Sequence, residues 1–548
     1  RISLFNYNIV IAYMSKKYKV NDSTKAYFVG GGIASLSAAL FLIRDAKVDP
    51  KNITILEQMN INGGSCDGAG NSEEGYMIRG GRMINYEHYT AILDLYRFVP
   101  SLTDPKTSVT DEIYKFSNET LTCSTARLID ENHQIVKNVD KLGFNNDDRM
   151  AMIKLMLVDE DKLAPVRIDQ LFSPHFFETN FWYMWATTFA FQPWHSAFEF
   201  KRYAHAFINE MPRIHTLAGV HRTPYNQYDS LILPLETHLK KLGVNFELGC
   251  TVKDIDFTEN NGEMTAKEIK MVKDGIPTSV LVRENDLVFV TNGTMTENAT
   301  IGTMDTPAAP PTKEGNGCWA LWENLASKTP EFGNPAPFCN DIPGAMWQSF
   351  TVTLKDKKFL ERYTEFSSNK PGTGALMTFK DSGWFMSIVV PKQPHFINQD
   401  ADTQVFWGYA LHPEKVGDYI KKPMTECTGR EIFEELCYQL GWLDEINEYL
   451  PTTICRPCIM PYITSHFMVC NKTDRPLVVP KCSTNLAFIG QYAEMPDVCT
   501  FTIEMSARTA QEAVYTFFDL HDTKVIPPFY KGEYDIRVLL GAGYAMMN

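Results

Sequence analysis

No run of about eighteen consecutive apolar residues occurs in this 548-residue chain, so no membrane-spanning helix is expected. Positive charge is also short. Lys and Arg number 52 against 66 Asp and Glu, a formal net charge of −14, which argues against nucleic acid as the main partner. Internal repeats and low-complexity tracts are missing. The 12 cysteines are mostly scattered singly, which excludes the framework of a small secreted disulfide domain. One pair, Cys455 and Cys458, has C-x-x-C spacing, but a zinc ribbon needs a second pair and none occurs. Residues Arg1 to Tyr13, RISLFNYNIVIAY, make a poor signal peptide, because asparagines break the apolar run. The expectation is a cytoplasmic protein without a metal.

Hydrophobic residues make up 44% of the chain and charged residues 22%, the balance of an ordinary globular protein. The length allows two to four domains. Aromatic residues reach 12%, enough for a large apolar cavity or an aromatic-rich core.

The stretch KAYFVGGGIASLSAALFLIRD reads as strand, glycine turn and helix. Ala26 to Val29 is a short buried strand, and Ile33 to Arg44 has helical periodicity with many small residues. The fingerprint is Gly30-x-Gly32-x-x-Ser35, with serine in the third glycine position; Ala34 and Ser35 are small enough for close helix–strand packing. A second strand, NITILEQ, ends at Glu57. An acidic residue there is placed for ribose hydroxyls, while the helix N-terminus takes a pyrophosphate. Glycine-rich segments follow, NGGSCDG with Gly64 and Ser65, then RGGRM with Gly80, Gly81, Arg82 and Met83. Glycine pairs allow close backbone approach, and the arginine beside them suggests an anion. Later strands return to the same fold: DLVFVTNG, ending in Asn292 and Gly293, and NLAFIGQY, ending around Gly490 before a helix-like run from Thr502. Val252 lies on the segment before the first of them. A chain that returns to one cofactor from distant segments favours FAD over NAD.

The expected fold is therefore α/β. A discontinuous two-dinucleotide-binding, Rossmann-like FAD domain takes residues 24–101, 225–293 and 485–518. A substrate-binding α+β region takes 102–224 and 294–484, residues 1–23 form a tail, and 519–548 form an apolar helical C-terminal segment that could lie on a bilayer.

The run HFFETNFWYMWATTFAFQPWHSAFEFKRYAHAF, with YNQYDS, DLVFVTNGTMTE, LWENLA, KQPHF, MPYITSHFM and NLAFIGQYAE, resembles the oleate hydratases, once called myosin-cross-reactive antigens. The resemblance runs from about Lys25 to the C-terminus. It implies an FAD-binding hydro-lyase that adds water across a cis double bond of a long-chain unsaturated fatty acid, with no net redox change. It implies Tyr203 of EFKRY as proton donor, His395 of KQPHF as the carboxylate-binding histidine, and Gln227 of YNQYDS as a substrate-binding residue. Two further family positions, a threonine and an asparagine, are Val389 and Pro391 here. The family glutamate that activates water directly follows GGR; here that residue is Met83, as in a subgroup with RGGRM. Methionine cannot accept a proton. Glu87, or His88 after it, is therefore the expected base, unless water loses its proton to solvent. Two other functions sit on the same fold: a flavin oxidoreductase of amine oxidase or desaturase type, and a silent lipid-binding flavoprotein. The expected partners are the fatty acid, water and, at its surface, membrane lipid, with the protein monomeric or homodimeric.

Overall fold

The computed structural model describes residues 18–81, 83–313, 317–524 and 536–547. Strands Ala26–Val29 and Leu486–Ile489 are buried at all four positions. Strands covered on both faces read as unbroken apolar runs rather than as alternation. They belong to a five-stranded parallel sheet in the order Leu486–Ile489, Leu287–Thr291, Ala26–Val29, Ile53–Leu56, Asn245–Glu247. Its strands come from three separated stretches of the chain. The register sets Ala26 beside both Leu287 and Ile53. Helix Ile33–Arg44 packs on helix Ile503–Phe518. Ala34, Ala38 and Ala39 on the first and Ala507, Ala510 and Ala513 on the second are buried, which lets the two backbones come close. This is the Rossmann-like architecture of two-dinucleotide-binding proteins. A three-stranded antiparallel meander, Cys250–Asn260, Glu263–Lys273 and Ile276–Leu281, accompanies it.

A second, seven-stranded sheet is centred on strands Trp347–Leu354 and Gln404–Ala410. All eight residues of Trp347–Leu354 are buried, although several are polar. Two of them have a clear task. Thr353 and Thr351 hydroxyls accept from the backbone N–H groups of Tyr76 (2.9 Å) and Ile78 (3.2 Å). Strand Gly75–Ile78 is thereby tied across the second sheet, which sets the glycine segment after it at the junction of the two sheets. Cys455 and Cys458 share strand Thr453–Met460 but face different hydrophobic clusters, as a three-residue spacing on a strand requires. They do not converge on one metal.

An aromatic layer is built on helices Asn180–Phe189 and Ala197–Ala206. Thr179 caps the first, its hydroxyl accepting from Trp182 N–H at 3.1 Å. The second carries Glu199, Arg202 and Tyr203. Glu199 forms a 2.6 Å ion pair with Arg475 with both side chains out of water. Arg202 pairs with Glu494 at 2.8 Å and Glu160 at 3.2 Å. Burial disfavours the Arg202 charge, but Glu494 and Glu199 outweigh it and hold its pKa above the ordinary value. No helix among the described residues is long and apolar enough to cross a membrane. The last helix, Ile536–Met547, buries Ala542 and Ala545 and exposes Ile536, Leu540, Tyr544 and Met547.

Removing one partner of a buried pair leaves the other charge uncompensated. Arg475→Met should destabilise the protein by about 3–5 kcal/mol. Arg475→Met with Glu199→Gln should recover most of that loss. Thermal midpoints of the two variants and wild type check both statements.

Candidate active site

A cavity of about 380 Å³ opens at the C-terminal ends of the parallel strands, where open α/β sheets bind ligands. Gly30, Gly32, Ala34, Glu57, Gly64, Ser65, Val252, Gly293, Gly490 and Thr502 line it. The N-termini of helices Ile33–Arg44 and Ile503–Phe518 both face it, through Ile33, Ala34, Thr502 and Ile503. Helix starts favour negative charge; the first has no side-chain cap, and Thr502 caps the second, accepting from Met505 N–H at 3.1 Å. Gly30 needs to be glycine because its φ is +100°. Gly32 differs: a Cβ there would meet no protein atom within 4 Å and would project into open space beside the cavity. Glu57 stands at the strand end, its carboxylate accepting from Gly31 N–H at 2.6 Å and Met59 N–H at 2.7 Å. Burial raises its pKa against those donors. Amide-lined turns, two helix N-termini and a buried acid at the end of the second strand fit a dinucleotide. Ser35 and Asn292 do not line the cavity; they are buried beneath it.

A second cavity of about 110 Å³ shares Arg79, Phe501, Thr502 and Ile503 with the first. Phe501 holds a left-handed backbone at φ +68° between the two. Gly80, Gly81 and Met83 line this second cavity rather than the first. Arg82 lies outside the described residues. Phe189, Phe207, Trp347, Trp407 and Val389 supply apolar wall. Tyr203 is 2% exposed, lines the cavity, and donates from its hydroxyl to Thr500 O at 2.6 Å.

The structure does not bring the two expected bases to this wall. Glu87 is exposed and accepts a hydrogen bond from the Asn209 amide. His88 does not line that wall; it packs against Phe207, ring centroids 5.0 Å apart, and lines a small adjoining cavity with Asp497, Glu504 and Arg508. The reason is local. Asn85 is buried and turns the chain, its side-chain oxygen accepting from Glu87 N–H at 3.1 Å, so the next residues point outward. The carboxylate that does line the Tyr203 cavity is Glu210, which follows the Tyr203 helix in a 3-10 turn, Ile208–Arg213.

A third, smaller cavity continues from the second through Gly80, Gly81, Arg222, Val389 and Trp407. Gln227, Pro391, Lys392 and His395 line it. Gln227 donates to Ser65 O at 3.0 Å, which links this cavity to the dinucleotide turn. His395 has its pKa lowered to about 3, by burial first and then by the Arg222 charge. Arg222 was not singled out by sequence. Its Nη2 reaches only Ala375 O at 3.5 Å, its Nε has no partner, and among the described residues no carboxylate pairs with it. Burial lowers its pKa to about 10, against the pull of Tyr409 and Tyr363. A desolvated cation without an anion is costly unless a ligand supplies one.

The cradle at Gly32 yields a direct test. Gly32→Val fills space that no protein atom occupies, so the fold should keep its thermal midpoint while dinucleotide binding is lost. Absorbance of the purified variant and its thermal midpoint without cofactor check this.

Comparison with known proteins agrees with this geometry. The profile of the MCRA family matches residues 23–515. An oleate hydratase from Streptococcus pyogenes serotype M49 (strain NZ131) is 40% identical over 538 residues, covering 95% of this chain and 90% of its own. A linoleate hydratase from Lactiplantibacillus plantarum is 36% identical over 565 residues, covering 96% and 99%. Among solved structures, the PF1083 protein from Pyrococcus furiosus shares the fold at a TM-score of 0.51 and 12% identity, over 92% of this chain and 100% of that one. With the match spanning nearly its whole length, the chain belongs to the MCRA family.

Proposed function

We propose that this protein hydrates a cis double bond of a long-chain unsaturated free fatty acid, giving a hydroxy fatty acid, with FAD in the larger cavity. One observation carries the proposal: the buried Tyr203 hydroxyl lines an apolar cavity that shares a wall with a dinucleotide cavity. The two hydratase relatives support it. Each buried methylene of an acyl chain contributes about 0.8 kcal/mol, and the aromatic wall supplies the apolar surface for it. FAD, when bound, supplies a large polarisable ring system, and the overall reaction transfers no electrons. Tyr203 delivers a proton to one alkene carbon, and water adds to the other. The Thr500 carbonyl holds the Tyr203 O–H in place before transfer. The open face of the last helix, Ile536, Leu540, Tyr544 and Met547, is where contact with a lipid surface would be made.

The carboxylate end falls to Arg222. A lowered pKa means the charged form is disfavoured. His395, lowered to about 3, is neutral at every pH well above that value. Arg222, lowered to about 10, loses its charge only as pH rises toward 10. Between pH 5 and 8 Arg222 is therefore charged and has no carboxylate partner among the described residues, while His395 acts as a neutral hydrogen-bonding group.

Incubation with oleate and linoleate under anaerobic conditions, followed by mass spectrometry, tests the activity. A gain of one water is expected; loss of two hydrogens would mean an oxidoreductase, and unchanged acid retained by the protein a binder. Tyr203→Phe should keep folding and FAD binding while turnover falls by about 10²-fold or more. Activity within about threefold of wild type would remove Tyr203 from the mechanism. Arg222→Met should raise KM by about 10-fold or more, the scale of a charge-assisted hydrogen bond worth about 1.5–3 kcal/mol. KM measured from pH 5 to 8 should show no inflection that disappears in His395→Gln.

A further inference from the structure

Position 83 carries no ionisable group, Glu87 faces solvent, and His88 faces another cavity. Glu57 lines only the dinucleotide cavity. Among the described residues, Glu210 is the one carboxylate on the wall of the cavity that Tyr203 lines. We infer that Glu210 accepts the proton of the attacking water. This rests on the hydratase proposal above.

Glu210 is held on the same wall as Met83. Asn85, two residues beyond Met83, donates from its side-chain amide to Glu210 Oε1 at 2.9 Å. Arg213 donates to Oε1 at 2.6 Å and to Oε2 at 2.8 Å. Each carboxylate oxygen accepts about two hydrogen bonds, so Oε1 is filled and Oε2 keeps one acceptor site. The pair runs from solvent to cavity: the Arg213 side chain is 41% exposed and that of Glu210 7%. The guanidinium therefore sits on the outer side and the carboxylate on the inner one.

The neighbouring chain is shaped around this carboxylate. A Cβ on Gly219 would fall 2.2 Å and 2.3 Å from the two Glu210 oxygens. Gly219 does not occupy the left-handed region, so a side chain there would act by close approach, displacing the carboxylate, and not through backbone strain. The Gly219 carbonyl also accepts from Asn85 Nδ2 at 3.4 Å. Asn85, Arg213 and Gly219 thus fix one carboxylate in place, with one acceptor site left over.

The step balances. The Tyr203 O–H bond breaks and its proton joins one alkene carbon as the π bond opens. The water oxygen bonds to the other carbon, and its proton passes to Glu210 Oε2. That proton leaves through solvent at the Arg213 side, and Tyr203 is reprotonated. The net change is one water added. A carboxylate facing the alkene also stabilises positive charge developing on carbon.

The test uses FAD-loaded protein with the unsaturated acid that wild type hydrates. Glu210→Ala should lower kcat by about 10²-fold with KM within about threefold, and with flavin content and thermal midpoint kept. Added formate, which can occupy the vacated carboxylate position, should restore at least about tenfold of the lost rate. Gly219→Ala displaces the carboxylate without deleting it and should cut kcat by at least about tenfold, which serves if Glu210→Ala folds poorly. Full-rate Glu210→Ala or Gly219→Ala overturns the assignment. So does a loss that formate leaves untouched and Arg213→Met reproduces, since that is the pattern of a structural ion pair. If wild type forms no hydroxy acid, the hydratase proposal falls with it; if wild type is active and Glu210→Ala equals it, only the Glu210 assignment falls.

Discussion

The geometry of the candidate site hangs on a group of buried charges. Arg475 and Glu494 flank the last strand of the parallel sheet, Leu486–Ile489, on either side in sequence. Glu199 and Arg202 belong to the helix that carries Tyr203. The 2.6 Å Glu199–Arg475 pair and the 2.8 Å Arg202–Glu494 pair therefore bolt the Tyr203 helix to the dinucleotide sheet. A buried pair gains little over a hydrophobic pair in net stability, because both ions lose water. What it supplies is position. Apolar helix faces can slide by a turn at small cost; a helix with two charges locked to fixed partners cannot. Tyr203 then meets Thr500 O at 2.6 Å, on the short segment between that strand and helix Ile503–Phe518.

The same segment divides the two large cavities. Phe501, Thr502 and Ile503 line both, and Arg79 joins them from the other side. Arg79 is fixed by Asp67 at 2.7 Å and by the carbonyls of Gly64 and Thr296 at 3.0 and 3.1 Å. Four residues from two distant parts of the chain thus form one partition. Its left-handed residue, Phe501, is held by Gln491, whose side-chain oxygen accepts from Phe501 N–H at 2.6 Å. Strain of this kind persists where surrounding contacts over-determine the backbone. Here it aims an aromatic ring at the boundary between cofactor-sized and substrate-sized space.

What could be read from the sequence follows from how local each signal is. Strand Ala26–Val29 and helix Ile33–Arg44 match expectation to the residue, since an apolar run, a glycine turn and a small-residue helix are adjacent in the chain. The resemblance in EFKRY led to Tyr203, whose placement needed no knowledge of distant contacts. Glu87 is the opposite case. Its distance from Met83 in sequence is short, but the turn made by buried Asn85 decides which way it points, and that turn depends on Glu210 and Gly219, more than a hundred residues on. Arg222 gave one signal that was passed over: an arginine three residues before the YNQYDS stretch. Its meaning appears only once Val389, Trp407 and Gly81 close around it. Gly80 and Gly81 went to the substrate-side cavity for a similar reason: the threonine hydroxyls of the second sheet, not the glycine pattern, fix where strand Gly75–Ile78 delivers them.

These placements together describe a charge balance. Among the described residues, three charged side chains line the second cavity: Arg79, Glu210 and Arg222. Arg79 has Asp67, and Glu210 has Arg213. Arg222 alone lacks an anion among the described residues. Protonating an alkene places new positive charge on carbon in that same apolar space, where an uncompensated guanidinium would oppose it strongly. On the proposed reaction the substrate carboxylate closes the account, since its arrival neutralises Arg222 before Tyr203 gives up its proton. A free acid would then do more than anchor itself. It would remove the one field in the cavity that disfavours the transition state, whereas a neutral ester of equal length would bury the same methylenes and leave that field in place.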